Sequence, residues 1–177
     1  MIKRDQVINS AFNAPFPKNR YVLRGIKSTT GISKSSGNPM ATIEVEIVCN
    51  GSGNDIVEFE GQKVNVAGRK FVYYLVYTEE NAQNVFDFFN KLNQPIEEFD
   101  PQNPPNTDFI KGLTFDAILS TQPNIPRHPP GPGKKVGDPI KDANGKDIVN
   151  GYSVSNQLSD ILGLAEIPTK SSEDRAF

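Results

Sequence analysis

The segment Ala41 to Val48, ATIEVEIV, alternates without a break. Ile43, Val45 and Ile47 fall on one side of an extended chain, and Thr42, Glu44 and Glu46 on the other. Period two marks a strand with one face buried and one wet, whereas a helix would scatter the same residues around its circumference. Such a strand needs neighbours, because its backbone donors and acceptors must be paired. Four further extended candidates supply them: Tyr21 to Lys27, a long run from Lys63 to Tyr77, Leu113 to Ser120, and a stretch near Ile148 to Val154. Gly68 sits inside the long run and predicts a bulge or sharp bend there.

One helix is well marked. In TEENAQNVFDFFNKL, Val85, Phe88, Phe89 and Leu92 make a single apolar stripe at helical spacing. Thr78 is the expected N-cap, Glu79 and Glu80 favour the first turn, and Asn93 and Pro95 end the element. A weaker helix is expected at Asn156 to Leu164, with Leu158, Ile161 and Leu162 on one side. The resulting order is three strands, a helix and two strands. That is the order of an OB-fold, a five-stranded barrel with a helix between strands three and four. The expected fold class is therefore mainly β, with an OB-fold-like domain over residues 21–164. An N-terminal arm, residues 1–20, precedes it, and a C-terminal tail, residues 165–177, follows. Pro15 and Pro17 interrupt regular structure in the arm. Phe12 and Phe16 either staple the arm to the body or lie exposed.

In an OB-fold the loop between strands one and two and the loop between strands four and five flank the ligand groove. Here these are residues 28–40 and 121–146. The first contains Lys34 and no acid. The second contains six prolines, and sets Arg127, Lys134, Lys135, Lys141 and Lys146 against Asp138 and Asp142. A structureless loop of that length is normally functional or disordered. Its Asn144-Gly145 pair predicts a hairpin turn near its end. The N-terminal region is also basic. Residues 1–40 hold seven Lys and Arg against Asp5 alone, although the whole chain has a net charge of −2. Such asymmetry points to a basic surface that meets an anion, the alternative being an ordinary solvated segment.

Catalytic readings find little support. His128 is the only histidine and lies among prolines, so no second imidazole completes a metal site. Cys49 is the only cysteine and reads as a strand-end hydrophobe. GPGKK at 131–135 lacks the spacing of a phosphate-binding loop. Glu44 and Glu46 share a face, as expected of a solvent-facing strand edge. Neither an enzyme nor a cofactor or metal is expected. Binding readings fare better. Single-stranded nucleic acid is held by a cationic groove with aromatic faces that stack on bases. Arg24 and Lys27 on the first strand, the loop cations Arg127, Lys134 and Lys135, and the aromatics of residues 71–77 fit that requirement. Alternation places Phe71, Tyr73 and Tyr77 on one face, and Val72, Tyr74 and Val76 on the other. The two valines assign the second set to the core. Tyr73 and Tyr77 are then the expected stacking residues, followed by Phe71, the alternative being that all four aromatics pack inside.

SKSSGNPMATIEVEIV resembles the S-K-x-G-N-P-M segment and following strand of bacteriophage OB-fold single-stranded DNA-binding proteins. FIKGLTFDAIL at 109–119 is similar to a glycine-led strand of that family, through Lys111-Gly112. The likeness spans residues 21–154. It implies binding of single-stranded DNA without sequence preference, during phage DNA replication or recombination. It also implies that Lys34, Ser35, Gly37 and Asn38 flank the groove. The ending KSSEDRAF resembles a weak form of the acidic, phenylalanine-capped tail with which such proteins recruit partners. Glu173, Asp174 and Phe177 carry that likeness, and Arg175 departs from it; an ordinary frayed terminus is the alternative. The competing function is a structural or protein-interaction module, such as a virion component, built on the same barrel. A protein-binding barrel has no need of the basic first 40 residues.

A lone cysteine allows no internal disulfide and fits a reducing compartment. MIKRDQVINS is followed by no apolar stretch of signal-peptide type, and no run approaches the roughly 18 apolar residues of a membrane span. The expected setting is cytoplasmic, the host cytoplasm for a phage-encoded chain, without a membrane partner.

Overall fold

The alternating segment lies at the heart of the larger of two sheets. A computed structural model describes residues 7–169. Its elements are β1 (Ile8–Asn9), β2 (Asn19–Ile32), β3 (Pro39–Asn50), β4 (Ile56–Phe59), β5 (Gln62–Asn65), β6 (Lys70–Val76), α1 (Ala82–Lys91), β7 (Thr114–Pro123), β8 (Tyr152–Ser155) and β9 (Ile161–Leu164). The fold is mainly β, with nine strands in two sheets and one α-helix among the described residues. None of its helices is long and apolar enough to cross a membrane.

The larger sheet runs β6-β3-β2-β7-β8, with β9 paired to β7. β3 pairs antiparallel with β2 on one side and with β6 on the other. Ala41, Ile43, Val45, Ile47 and Cys49 of β3 are all buried, as alternation requires. They join Tyr21 and Leu23 of β2, Phe115, Ala117 and Leu119 of β7, and the apolar stripe of α1 in one core. Val85, Phe88, Phe89 and Leu92 are buried there. The smaller sheet, β1-β5-β4, flanks this body.

The expected closed barrel is not formed: among the described residues no backbone ladder joins β6 to β8. The arm explains why. Tyr152 at the start of β8 donates its N–H to the Asn13 carbonyl at 2.9 Å, so the amide that could face β6 is already used. The Phe16 N–H donates to the Thr121 hydroxyl, and that hydroxyl donates to the Phe16 carbonyl, each at 3.2 Å. Ala14 and Phe16 are buried, whereas Phe12 is 67% exposed. Phe16 thus staples the arm to the body and Phe12 does not.

Several local expectations are corrected. The long third strand is in fact β5 and β6, separated by a turn in which the Asn65 side chain accepts from the Ala67 N–H at 3.1 Å. Gly68 gives the expected bulge at this point: at φ 83° its N–H donates to the Ile47 carbonyl at 2.8 Å while the Ile47 N–H donates to the Arg69 carbonyl at 2.9 Å, so two residues oppose one. β4, which lacked a clear alternation, is held by pairing with β5. The N-cap position of α1 is Asn81 rather than Thr78, and Glu79 and Glu80 precede its first turn. Asn81 is held out of the helix by donating its side-chain amide to the Val76 carbonyl at 2.9 Å. Asn93 ends the helix in the left-handed region, at φ 58°, as its type permits. The second helix is replaced by a 3-10 turn, Leu158–Asp160, and by β9. β7 outruns β8, and β9 pairs with the stretch Phe115 to Ala117 that β8 leaves open. A free strand edge outweighs the weak helical pattern of a short apolar run. The last expected strand shifts to Tyr152–Ser155, leaving Ile148 in the preceding loop.

Candidate nucleic-acid interface

The open side between β6 and β8 is a seam crossed by side chains. Arg69, just before β6, donates to the Tyr152 carbonyl at 2.8 Å and also to the Ala14 carbonyl. Asn156, just after β8, donates to the Val72 carbonyl at 2.7 Å. Arg69 is almost fully buried, and its guanidinium lies 5.1 Å from the Phe16 ring centre. Burial pulls its pKa down from the ordinary arginine value. Two carbonyls and an aromatic face offset the loss of water around the charge.

Over this seam opens a cleft of about 400 Å³. Its walls include four aromatic residues, Phe12, Phe71, Tyr74 and Tyr152, two cations, Arg69 and Lys70, and no carboxylate among the described residues. Tyr74 is 56% exposed. Lys70 makes no ion pair among the described residues. A second recess of about 350 Å³ continues along the outer side of β6 past Tyr74 to Asn84 and Ser159. A larger recess, about 750 Å³, lies against β1 and the β4–β5 turn. Among the described residues it contains Glu60 and neither a cation nor an aromatic ring.

The cleft reverses the expected faces of β6. Tyr73 and Tyr77 are 1% and 0% exposed and cannot stack on a ligand. Phe71, Tyr73, Leu75 and Tyr77 form the inward set, and Lys70, Val72, Tyr74 and Val76 the outward one. Leu75 is the reason: it is the largest aliphatic residue of the strand, and Lys70 belongs to the opposite set. Tyr77 donates its hydroxyl to the Pro105 carbonyl at 3.2 Å, and burial pushes its pKa up to about 12. Burial, with the Asp160 charge as a lesser cause, pushes the Tyr73 phenol higher still. The Tyr73 hydroxyl has no hydrogen-bond partner among the described residues. Phe71 keeps a place at the cleft because β6 ends the sheet, and its half-buried ring meets Tyr73 edge-on at 5.4 Å.

The other expected site residues divide into three groups. Arg24 lies 3.6 Å from Glu46 and Lys27 lies 3.5 Å from Glu44, on the outer face where those residues are cross-strand partners. The acids thus neutralise the two cations that were to meet phosphate. Lys34, Ser35, Gly37 and Asn38 form an exposed turn, far shorter than the expected loop because β2 continues to Ile32. The Ser33 and Ser35 hydroxyls bond to each other at 3.1 Å, and the Gly37 N–H donates to the Ser33 carbonyl at 2.8 Å. This turn lies beyond the Val76 end of β6, roughly 13 Å along the strand from Val72, so the cleft does not include it. Arg127, Lys134 and Lys135 lie on the long loop, whose stem enters β8 at Tyr152, a cleft wall. Glu173, Asp174 and Phe177 lie outside the described residues.

Phe12, Arg69, Lys70, Tyr74 and Tyr152 were not among the expected residues. Lys70 and Tyr74 were legible, since a lysine two residues from Val72 marks the wet side of a strand. Phe12 and Tyr152 carry no local signal. Compared with protein-family models and with curated protein sequences, the chain matches none.

Proposed function

We propose that this protein binds single-stranded DNA without sequence preference and without catalysis, and that the seam cleft is where bases stack. One observation carries the reading: four aromatic rings and two cations converge on one cleft that has no carboxylate among the described residues. Every base has a π-face, so such a cleft accepts any sequence, while the exposed Lys70 holds the backbone and Arg69 holds the cleft's shape. We further read the larger sheet as an OB-like barrel left open at one seam. The path β6-β3-β2-β7-β8 and the position of α1 between β6 and β7 support this. The resemblance of the 33–48 segment to phage single-stranded DNA-binding proteins supports a role in phage DNA replication or recombination.

The test is fluorescence anisotropy with labelled oligo-dT. Binding at micromolar concentration or tighter is expected at low salt, with a steep loss as salt rises through counterion release. Absence of binding at low salt sinks the reading.

A further inference from the structure

The loop between β7 and β8 is longer than the barrel needs, and it is ordered. Its stem is closed by Asn124 N–H to the Gly151 carbonyl at 2.9 Å and by Asn150 N–H to the Asn124 carbonyl at 2.7 Å. Ile140 N–H then bonds the Pro126 carbonyl at 2.9 Å, dividing the loop into two lobes. The second lobe is the predicted Asn144-Gly145 hairpin turn. It consumes its own acids: the Asp142 carboxylate caps the turn at the Asn144 and Lys146 N–H groups, and Asp147 pairs with Lys141.

The first lobe, residues 127–138, is different. His128 N–H closes its neck on the Asp138 carbonyl at 2.9 Å. The two arms approach so closely at Gly137 that a Cβ there would lie 1.7 Å from the His128 carbonyl oxygen. A turn across Pro132-Gly133 closes the tip, with Lys134 N–H on the Gly131 carbonyl at 3.1 Å and Gly133 at φ 76°. Residues 127–136 are all exposed. Arg127, Lys134 and Lys135 stand there with Asp138 as the only acid, 4.0 Å from Lys134. Three prolines and the cross-bonds make the tip rigid before any ligand arrives, so little ordering entropy opposes binding.

The whole stretch 124–151 contains no Phe, Tyr or Trp. Its one small ring, His128, and the Arg127 guanidinium offer much less stacking face than the four rings of the cleft, so the stretch is better suited to gripping phosphates than to stacking unpaired bases. A cationic element with so little stacking face gains most from the densest array of phosphates. Duplex DNA supplies this, at one charge per roughly 1.7 Å of axis. The stem of the loop that carries the lobe leads directly into Tyr152, a wall of the cleft. We infer that the Arg127–Asp138 lobe holds the backbone of duplex DNA next to the single strand in the cleft, so that the protein seats itself at single-strand–duplex junctions. This deepens the proposed function and rests on it.

The experiment compares three labelled ligands, an oligo-dT, a blunt duplex and the same duplex with a dT tail, against the full chain and its Lys134→Ala/Lys135→Ala variant. Both lysines are exposed, so the variant is expected to fold. The unaltered chain should bind the tailed duplex more tightly than an oligo-dT matched to its tail. The variant should lose on the order of tenfold on the tailed duplex while changing oligo-dT binding by less than about twofold. Equal losses on both ligands would make the lobe part of the single-strand groove and overturn the inference. No loss on either would also overturn it, and would leave the lobe as a contact for an acidic protein. Failure of the unaltered chain to bind oligo-dT at all would instead overturn the cleft reading.

Discussion

The seam cleft and the Arg127–Asp138 lobe share a root at Tyr152 and an excess of positive charge, yet their chemistry differs. The cleft surrounds its cations with four aromatic rings. The lobe surrounds its cations with proline and glycine. Charge alone would assign both to one nucleic-acid surface. The supply of π-faces separates them: four large rings line the cleft, whereas the lobe has only the His128 imidazole and is built mainly to hold a backbone. The cleft also depends on the body for its shape, whereas the lobe is held by its own cross-bonds.

The largest expected effect comes from the side chain that holds the cleft together. Replacing Arg69 with alanine leaves the Ala14 and Tyr152 carbonyls without a donor. Two orphaned acceptors predict a loss of about 2–5 kcal/mol, read as a lower urea midpoint at constant m-value. Oligo-dT binding should fall with it, because Tyr152 and the arm lose their anchor. The lobe should keep its duplex contact in any variant that stays folded; parallel loss of both would erase the distinction between them.

Tyr74→Ala comes next. It removes one stacking face without touching the core. Oligo-dT affinity should fall by about 1–3 kcal/mol, or roughly 5- to 150-fold, with thermal stability unchanged. Tyr73→Phe is the sharpest counterpart. It deletes a buried hydroxyl that has no partner, so stability should hold or rise slightly and DNA affinity should not change. A binding loss in Tyr73→Phe with none in Tyr74→Ala would restore the opposite face of β6 as the stacking face.

Smaller effects distinguish paired from unpaired cations. Lys70→Ala should lower the slope of log affinity against log salt by about 0.7, the value for one single-strand phosphate contact. Lys27→Ala should change it much less, because Glu44 already neutralises that lysine. Exposed pairs of this kind contribute little to stability, about 0–1 kcal/mol. Alkaline pH supplies a last check on burial. Tyr77 is raised to about 12, and Tyr21 and Tyr73 are raised further. These groups titrate near 10 when unfolded. Their raised folded pKa values therefore stabilise the protein fully below pH of about 10. That contribution is lost as pH climbs through the folded values. Absorbance at 295 nm should show these three tyrosines ionising only together with unfolding.

The alternation of residues 41–48 made the central strand legible, and the stripe Val85, Phe88, Phe89, Leu92 made α1 legible, because each pattern matches a backbone period directly. The same logic established that β6 has two faces. It did not establish which face is buried. That choice depends on what lies across the strand: Ile43 and Val45 beside Tyr73 and Phe71 inside, Thr42 and Glu44 beside Tyr74 and Val72 outside. The pairing of Arg24 and Lys27 with Glu46 and Glu44 depends on register, and two irregularities in the β2–β3 ladder set that register. No residue type announces such offsets in advance.

Amino-acid type and spacing alone therefore determined a mainly β chain with one amphipathic helix, a basic N-terminal region and a cationic, proline-rich loop without Phe, Tyr or Trp. Those properties are local, and short-range sterics and periodicity suffice to express them. Only the tertiary structure decided that the arm fills the seam, that Arg69 bridges it, and that Phe12, Tyr74 and Tyr152 face one cleft. These residues are distant along the chain. They meet because burying Phe16 and satisfying the Ala14, Asn13 and Tyr152 backbone groups bring the arm, β6 and β8 together.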